Sequence, residues 1–145
     1  MYRKLVPVVI ILLSLSACSK DAEEVDNYDP ARDYFTFANT QQFVTDHLAL
    51  DLNVDFELRE LRGFAMLSMR RLDPDAGEIV LDTRDLTITS VVVLQDGNTA
   101  PAEYRFGDTH ATLGTPLHVI VPDGTGERFD LIIEYNTSPR STALQ

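Results

Sequence analysis

From His47 to Leu58, apolar and polar side chains alternate without a break: Leu48, Leu50, Leu52, Val54, Phe56 and Leu58 against Ala49, Asp51, Asn53, Asp55 and Glu57. A period of two sends successive side chains to opposite faces of a strand, so this segment predicts one buried and one wet face. On a helix the same leucines would scatter around the whole circumference, which excludes a helix here. Gly63 to Leu72 reads as the return strand of a hairpin after Arg59-Glu60, with Asp73-Pro74-Asp75-Ala76-Gly77 as the next turn. Further strands are predicted at Glu78 to Asp82, Leu86 to Leu94, Ala102 to Phe106, Thr109 to Leu113, Leu117 to Val121 and Phe129 to Asn136. Asp96-Gly97-Asn98 and Asp123-Gly124-Thr125-Gly126 supply turn chemistry between them.

The strands are short and separated by turns rather than by helical patterns of 10–15 residues, which argues against a parallel βαβ sheet. The expected fold is all-β, an antiparallel sandwich or saddle-like sheet pair over residues 34–145. Val92, Ile132 and Ile133 would serve either a private core or a dock for another domain.

The first residues read as an address. Arg3 and Lys4 are positive, Leu5 to Leu13 is almost wholly apolar, and Ser14 to Ala17 is small around Leu15, the order of an export signal over residues 1–17. The apolar run falls short of the roughly 20 residues a spanning helix needs. Leu15-Ser16-Ala17-Cys18 resembles a bacterial lipobox, which predicts diacylglycerol on the Cys18 thiol and cleavage just before it. Several acyl chains on one residue anchor firmly where one chain is marginal. Ser19, rather than Asp, follows the cysteine and favours the outer over the inner membrane of a bacterial envelope, with the protein facing the periplasm. Residues 18–33 are crowded with Asp21, Glu23, Glu24, Asp26 and Asp29 and interrupted by Pro30, the composition of a solvated tether.

The 145 residues carry 12 Lys and Arg against 23 Asp and Glu, a net charge of −11, a field that repels phosphate backbones and disfavours a nucleic-acid partner. Loss of residues 1–17 would leave 10 basic against 23 acidic residues, a net −13. One cysteine and three histidines exclude a disulfide framework and a Cys-rich zinc site. His47, His110 and His118 lack the His-Glu-x-x-His spacing of a zinc peptidase and read as ordinary strand or strand-flanking histidines. No serine sits in a Gly-x-Ser-x-Gly elbow, and Cys18 lies outside the fold. Asp82 and Asp85 could be imagined as an acid/base pair, but carboxylates at a strand end are usually turn residues. Gly124-Thr125-Gly126 lacks the third glycine and following helix of a phosphate loop, and the Asn136-Thr137-Ser138 sequon carries no weight behind a bacterial lipobox. Catalytic and metal residues are therefore expected to be absent from the chain, and Cys18 is the one modification site.

Four stretches occur in an order that resembles a known family. They are Asp46 to Phe56, then Leu61-Arg62-Gly63, then Leu81-Asp82-Thr83-Arg84-Asp85-Leu86-Thr87-Ile88, and finally Thr137 to Gln145 with the run Ser138-Pro139-Arg140-Ser141-Thr142-Ala143-Leu144-Gln145. Together they look like the amino-terminal β-domain of gluzincin zinc aminopeptidases of the leukotriene hydrolase/aminopeptidase type. The resemblance implies a saddle-shaped β cap that helps shape the substrate cleft of a thermolysin-like catalytic domain. It places the zinc ligands, the Glu base and the substrate-binding residues downstream of Gln145, so zinc is expected in a catalytic domain outside these residues and no catalytic residue carries over. The chain stops where the family pattern continues, which reads as a fragment.

Two functions follow as expectations. One is the anchored, non-catalytic cap of an envelope zinc aminopeptidase, with the catalytic domain as partner and peptide as substrate of the full-length protein only. The alternative is a short lipoprotein whose β-domain is a binding module acting along an exposed sheet edge.

Overall fold

The computed structural model describes residues 33–139, among which there is no helix. Eight strands follow in chain order: β1 (Phe43–Asp55), β2 (Glu60–Arg71), β3 (Glu78–Thr83), β4 (Leu86–Gln95), β5 (Asn98–Pro101), β6 (Tyr104–Phe106), β7 (Thr115–Ile120) and β8 (Arg128–Thr137). Five form an antiparallel sheet in the order β1-β2-β8-β4-β5, and three form a second in the order β3-β7-β6. The all-β antiparallel expectation is met.

The two sheets share one core. β8 buries Phe129, Leu131 and Ile133 on alternate positions, flanked on the same face by Met69 of β2 and by Ile88, Val91 and Val93 of β4. Ile79 of β3 and Leu117 and Val119 of β7 complete the cluster. Leu131 and Val119 are 0% exposed, and burying a side chain of that size contributes about 1.5–3 kcal/mol. Phe43 closes one end, its ring edge-on to Phe129 at 6.5 Å with the Arg71 guanidinium over its face at 5.8 Å.

Two β-bulges set which side chains face that core. One lies between Thr45 and His47 on β1, the other between Ile88 and Ser90 on β4. Each inserts one extra residue and shifts the parity of the strand. Before its bulge β1 turns odd positions inward (Phe43, Thr45), and after it even positions (Leu48, Leu50, Leu52, Val54). β4 does the reverse, from Ile88 to Val91 and Val93. The β1 bulge also places Asp46 on the outer face, where Arg70 Nη2 and Nε donate to its two oxygens at 3.0 and 3.1 Å and Arg128 Nη1 adds a contact at 3.2 Å. The Arg70 hydrogen bond, with the charges of both arginines, holds the Asp46 carboxyl below its ordinary 3.8.

The turns follow their residues. Asp55 Oδ1 accepts the amides of Glu57 and Leu58 at 3.0 and 2.9 Å, so β1 ends at Asp55 and the alternation through Leu58 continues into a turn closed by Arg59 at φ 54°. Asp96 and Gly97, at φ 51° and 78°, form the two-residue hairpin between β4 and β5.

Two predicted strands are corrected. Thr109 to Leu113 is a loop closed by a His110–Gly114 bridge, because the amides of Thr112 and Leu113 turn back onto His110 Nδ1, both at 3.2 Å. Ala102 to Phe106 is not one strand. Asn98, read as turn, begins β5, and the chain changes sheets at Ala102-Glu103, where Ala102 N bonds Val91 O of one sheet and Glu103 O accepts Ile120 N of the other. The wet-and-buried expectation for β1 is also corrected. The leucines do lie on the core-facing side, but Leu48 is 52% and Leu50 55% exposed, because the second sheet covers β4 and β8 and not the outer half of β1.

Two substitutions test this architecture. At Gly63 (φ 155°) a Cβ would fall 1.9 Å from the Asp51 carbonyl oxygen, so Gly63→Ala should lower the unfolding free energy by about 1–3 kcal/mol in urea titration. Gly77→Ala, where nothing lies within 4 Å, serves as the near-neutral control. For Asp46 the folded pKa is depressed, so its contribution is present above the unfolded value of 3.8 and lost as pH falls through the lower folded value. The difference in urea midpoint between wild type and Asp46→Asn should therefore hold at neutral pH and vanish as acid protonates the wild-type carboxylate.

Candidate functional site

The side chains singled out by chemistry do not converge. His47 lies on the outer face of β1 opposite Ser68, whose hydroxyl donates to Asp130 Oδ1 at 2.7 Å. His110 caps the 109–114 loop through Nδ1 and meets the Phe37 ring edge-on at 6.4 Å. His118, on β7, hydrogen-bonds through Nδ1 to Glu78 Oε1, which also accepts Arg105 Nη2 at 2.7 Å. The three imidazoles stand apart, His110 and His118 in separate structural contacts and His47 on the outer face of β1. Among the described residues no group of three or more His, Cys, Asp or Glu is placed to hold a metal ion. Cys18, the predicted lipidation site, lies outside the described residues, as do Arg140 to Gln145.

Asp82 and Asp85 stand at structural positions. Asp82 receives the Thr36 hydroxyl on one oxygen and the Phe37 amide on the other at 2.8 Å, which fastens the segment before β1 across β3. Asp85 sits at φ 53° in the turn from β3 to β4, and its carbonyl accepts Ser138 N at 3.1 Å. Their neighbours act in the same way. Thr83 Oγ1 donates to Thr115 O at 2.7 Å, Arg84 Nη2 donates to Thr112 O, and Leu81 and Leu86 pack on the core. The run Leu81 to Leu86 thus ties four parts of the chain together. Gly124-Thr125-Gly126 is a turn, with Thr125 N and Oγ1 bonded to Pro122 O and Gly126 N to Gln95 Oε1, and a strand follows it. Asn136 lies within β8, paired with Arg62 and Thr87.

A cleft of about 550 Å³ between the β2–β3 and β7–β8 turns is lined by Arg71, Leu72, Pro74, Thr125, Gly126 and Glu127. It brings no nucleophile to a general base. Of the residues expected to serve a private core or a dock, Ile133 is buried in the core, whereas Val92 and Ile132 are half-buried together on the outer face of the large sheet.

What stands out is an uncovered apolar surface. Reading across the sheet in register, Val93, Leu131, Leu67 and Leu48 form one row, and Val91, Ile133, Ala65 and Leu50 the next. Exposure climbs along the first from 3% at Val93 and 0% at Leu131 to 52% at Leu48. Val54 and Leu58 extend the surface to the hairpin end, both about half exposed, and Phe56 beside them is almost fully exposed. Alternation located these side chains, but their exposure depends on how far the other sheet extends, which periodicity does not report.

No family model matches the chain. It is 37% identical over 112 residues to leukotriene A-4 hydrolase of Xenopus laevis, covering 76% of this chain and 18% of that protein. It is 34% identical over 122 residues to leucine aminopeptidase 2 of Neurospora crassa, covering 82% of this chain and 18% of the relative. The native leukotriene A4 hydrolase of Saccharomyces cerevisiae superposes with a TM-score of 0.68 at 27% identity, over 80% of this chain and 18% of that one. The chain therefore spans about a fifth of the length of the relatives it matches. Over the β domain it is a homologue of leukotriene A-4 hydrolase and leucine aminopeptidase 2, aligned with their N-terminal domain region.

Proposed function

We propose that this β domain is the non-catalytic cap of an envelope-anchored zinc aminopeptidase, which hydrolyses the amino-terminal residue from peptides with a catalytic domain outside residues 1–145. The carrying observation is the 37% identity over 112 residues that amount to only 18% of a hydrolase. A segment that small supports a scaffold role, and the side chains of the β domain support it further, since Asp82, His110 and His118 are engaged in holding strands and loops.

Zinc does not fit the residues described here. His47, His110 and His118 stand on β1, the 109–114 loop and β7 and assemble no ligand set. The zinc of this proposal belongs to residues beyond this segment, and none of the described side chains is assigned a step in hydrolysis. Anchoring is proposed from Leu15-Ser16-Ala17-Cys18, with the acidic tether holding the domain away from a bacterial membrane, the outer one favoured, on its periplasmic side.

Two measurements test this reading. Translation of the gene past codon 145 should reveal His-Glu-x-x-His and a later Glu, and the purified full-length product should bind one zinc and cleave an aminoacyl anilide. An authentic stop at that codon overturns the cap. Metabolic labelling with radioactive palmitate should mark the wild type and not Cys18→Ala, and equal labelling of the two would overturn the anchor.

A further inference from the structure

The two arginines that end β2 lie on opposite faces of the large sheet. Arg70 is outward on Asp46, whereas Arg71 falls on the core-facing side, in register with Phe43 and two positions from the buried Met69. The Phe43 ring lies under its guanidinium at 5.8 Å, which steadies the fork at the rim of the core. Arg71 Nε is buried and bonds no group among the described residues.

Its charge is unmatched as well. Among the described residues Arg62, Arg70, Arg105 and Arg128 each hold a carboxylate and Arg84 holds a carbonyl, while Arg59 stands exposed in the first hairpin turn. Arg71 is half-buried without such a partner. The acid nearest to it in sequence, Asp73, already accepts the Asp75 amide at 3.0 Å and the Gln42 side chain at 3.5 Å. Glu127 meets Arg71 through the backbone, its carbonyl accepting the Arg71 amide at 2.8 Å. A cation left in this way at a protein's rim invites an acceptor from outside the fold. The cleft of about 550 Å³ opens at this residue, lined by Leu72 and Pro74 from one turn and by Thr125, Gly126 and Glu127 from the other.

We propose that this cleft binds a monocarboxylate bearing a short apolar side chain, the chemistry of an amino acid or of a peptide's carboxyl end. The enclosed Nε leaves the ligand to meet the guanidinium at its Nη end, with the apolar group against Leu72 and Pro74. A carboxylate matches the planar arginine fork. One negative charge also suits the surroundings better than the two of a phosphate, because residues 33–139 hold 7 basic against 18 acidic side chains and Glu127 borders the cleft. The site goes beyond the cap reading and requires no catalytic domain.

The test uses the wild-type full-length protein, because Arg71 also packs on Phe43 and its replacement would disturb the core. Arginines are modified with phenylglyoxal, and the adducts are located by proteolysis and mass spectrometry. The probe is N-acetyl-leucine, whose blocked amino group gives a peptidase no amino terminus to act on; N-acetyl-leucinamide is the uncharged control. N-acetyl-leucine is expected to slow modification of Arg71 at least fivefold and saturably, with Arg59 in the same digest unchanged and the amide without effect. An Arg71 that does not react in the absence of probe, protection below fivefold, or equal protection by the amide each overturns the site. Protection by inorganic phosphate at concentrations where N-acetyl-leucine gives none overturns the carboxylate assignment. An acetylated pentapeptide ending in leucine separates the two sources: stronger protection than by N-acetyl-leucine identifies a polypeptide's carboxyl end, and equal or weaker protection a free acid. The cap reading fails by a different signature, a full-length product with neither zinc nor peptidase activity.

Discussion

The structure depends on β8 being paired on both sides. β2 and β4 are separated by β3 in the sequence and do not touch in the sheet; only β8, arriving last, joins the β1–β2 hairpin to the β4–β5 hairpin. One strand therefore supplies two hydrogen-bonded ladders and the centre of the core, with Phe129, Leu131 and Ile133 on one face. Contacts so distant in sequence close large loops before they are rewarded, so the sheet is expected to assemble late and as a unit. The second sheet then has something to pack on, because Ile79, Leu117 and Val119 meet a surface that exists only when β8 is in place.

Polar chemistry is subordinate to that assembly. Several carboxylates and imidazoles are occupied in holding the chain: Asp82 with the segment before β1, His110 within its own loop, Glu78 between β7 and β6 through His118 and Arg105. A general acid or base needs a free proton-bearing atom facing a substrate site. These groups face the protein instead.

Much of the fold was legible because alternation reports strand and pleat directly. The β1–β2 hairpin, β3, β4, β7 and β8 were recovered from it, and the two-residue Asp96-Gly97 turn from its composition. Three things were hidden. The β4 bulge falls in Ile88-Thr89-Ser90-Val91-Val92-Val93, where the apolar run after it conceals a parity shift. The 109–114 loop carries strand-like residues whose fate was decided by an imidazole acting as a local acceptor. The exposure of Leu48 and Leu50 was invisible for a different reason: the sequence of one strand cannot state how far the opposite sheet extends. At the candidate site, the histidines read as bland in sequence have structural partners in His110 and His118, while His47 lies on the outer face of β1.

The run Leu81-Asp82-Thr83-Arg84-Asp85-Leu86 carries a large share of the contacts that join the parts of this fold. Within six residues it places two leucines in the core, seats the segment before β1 on Asp82, joins β3 to the start of β7 through Thr83, grips the 109–114 loop with Arg84 and meets the exit of β8 at the Asp85 carbonyl. A turn at φ 53° is what lets one short run reach both sheets, since it reverses the chain between β3 of the small sheet and β4 of the large one. Such a run tolerates little substitution for geometric reasons alone. The run therefore serves architecture, and any catalytic meaning has to come from residues that the architecture does not already employ.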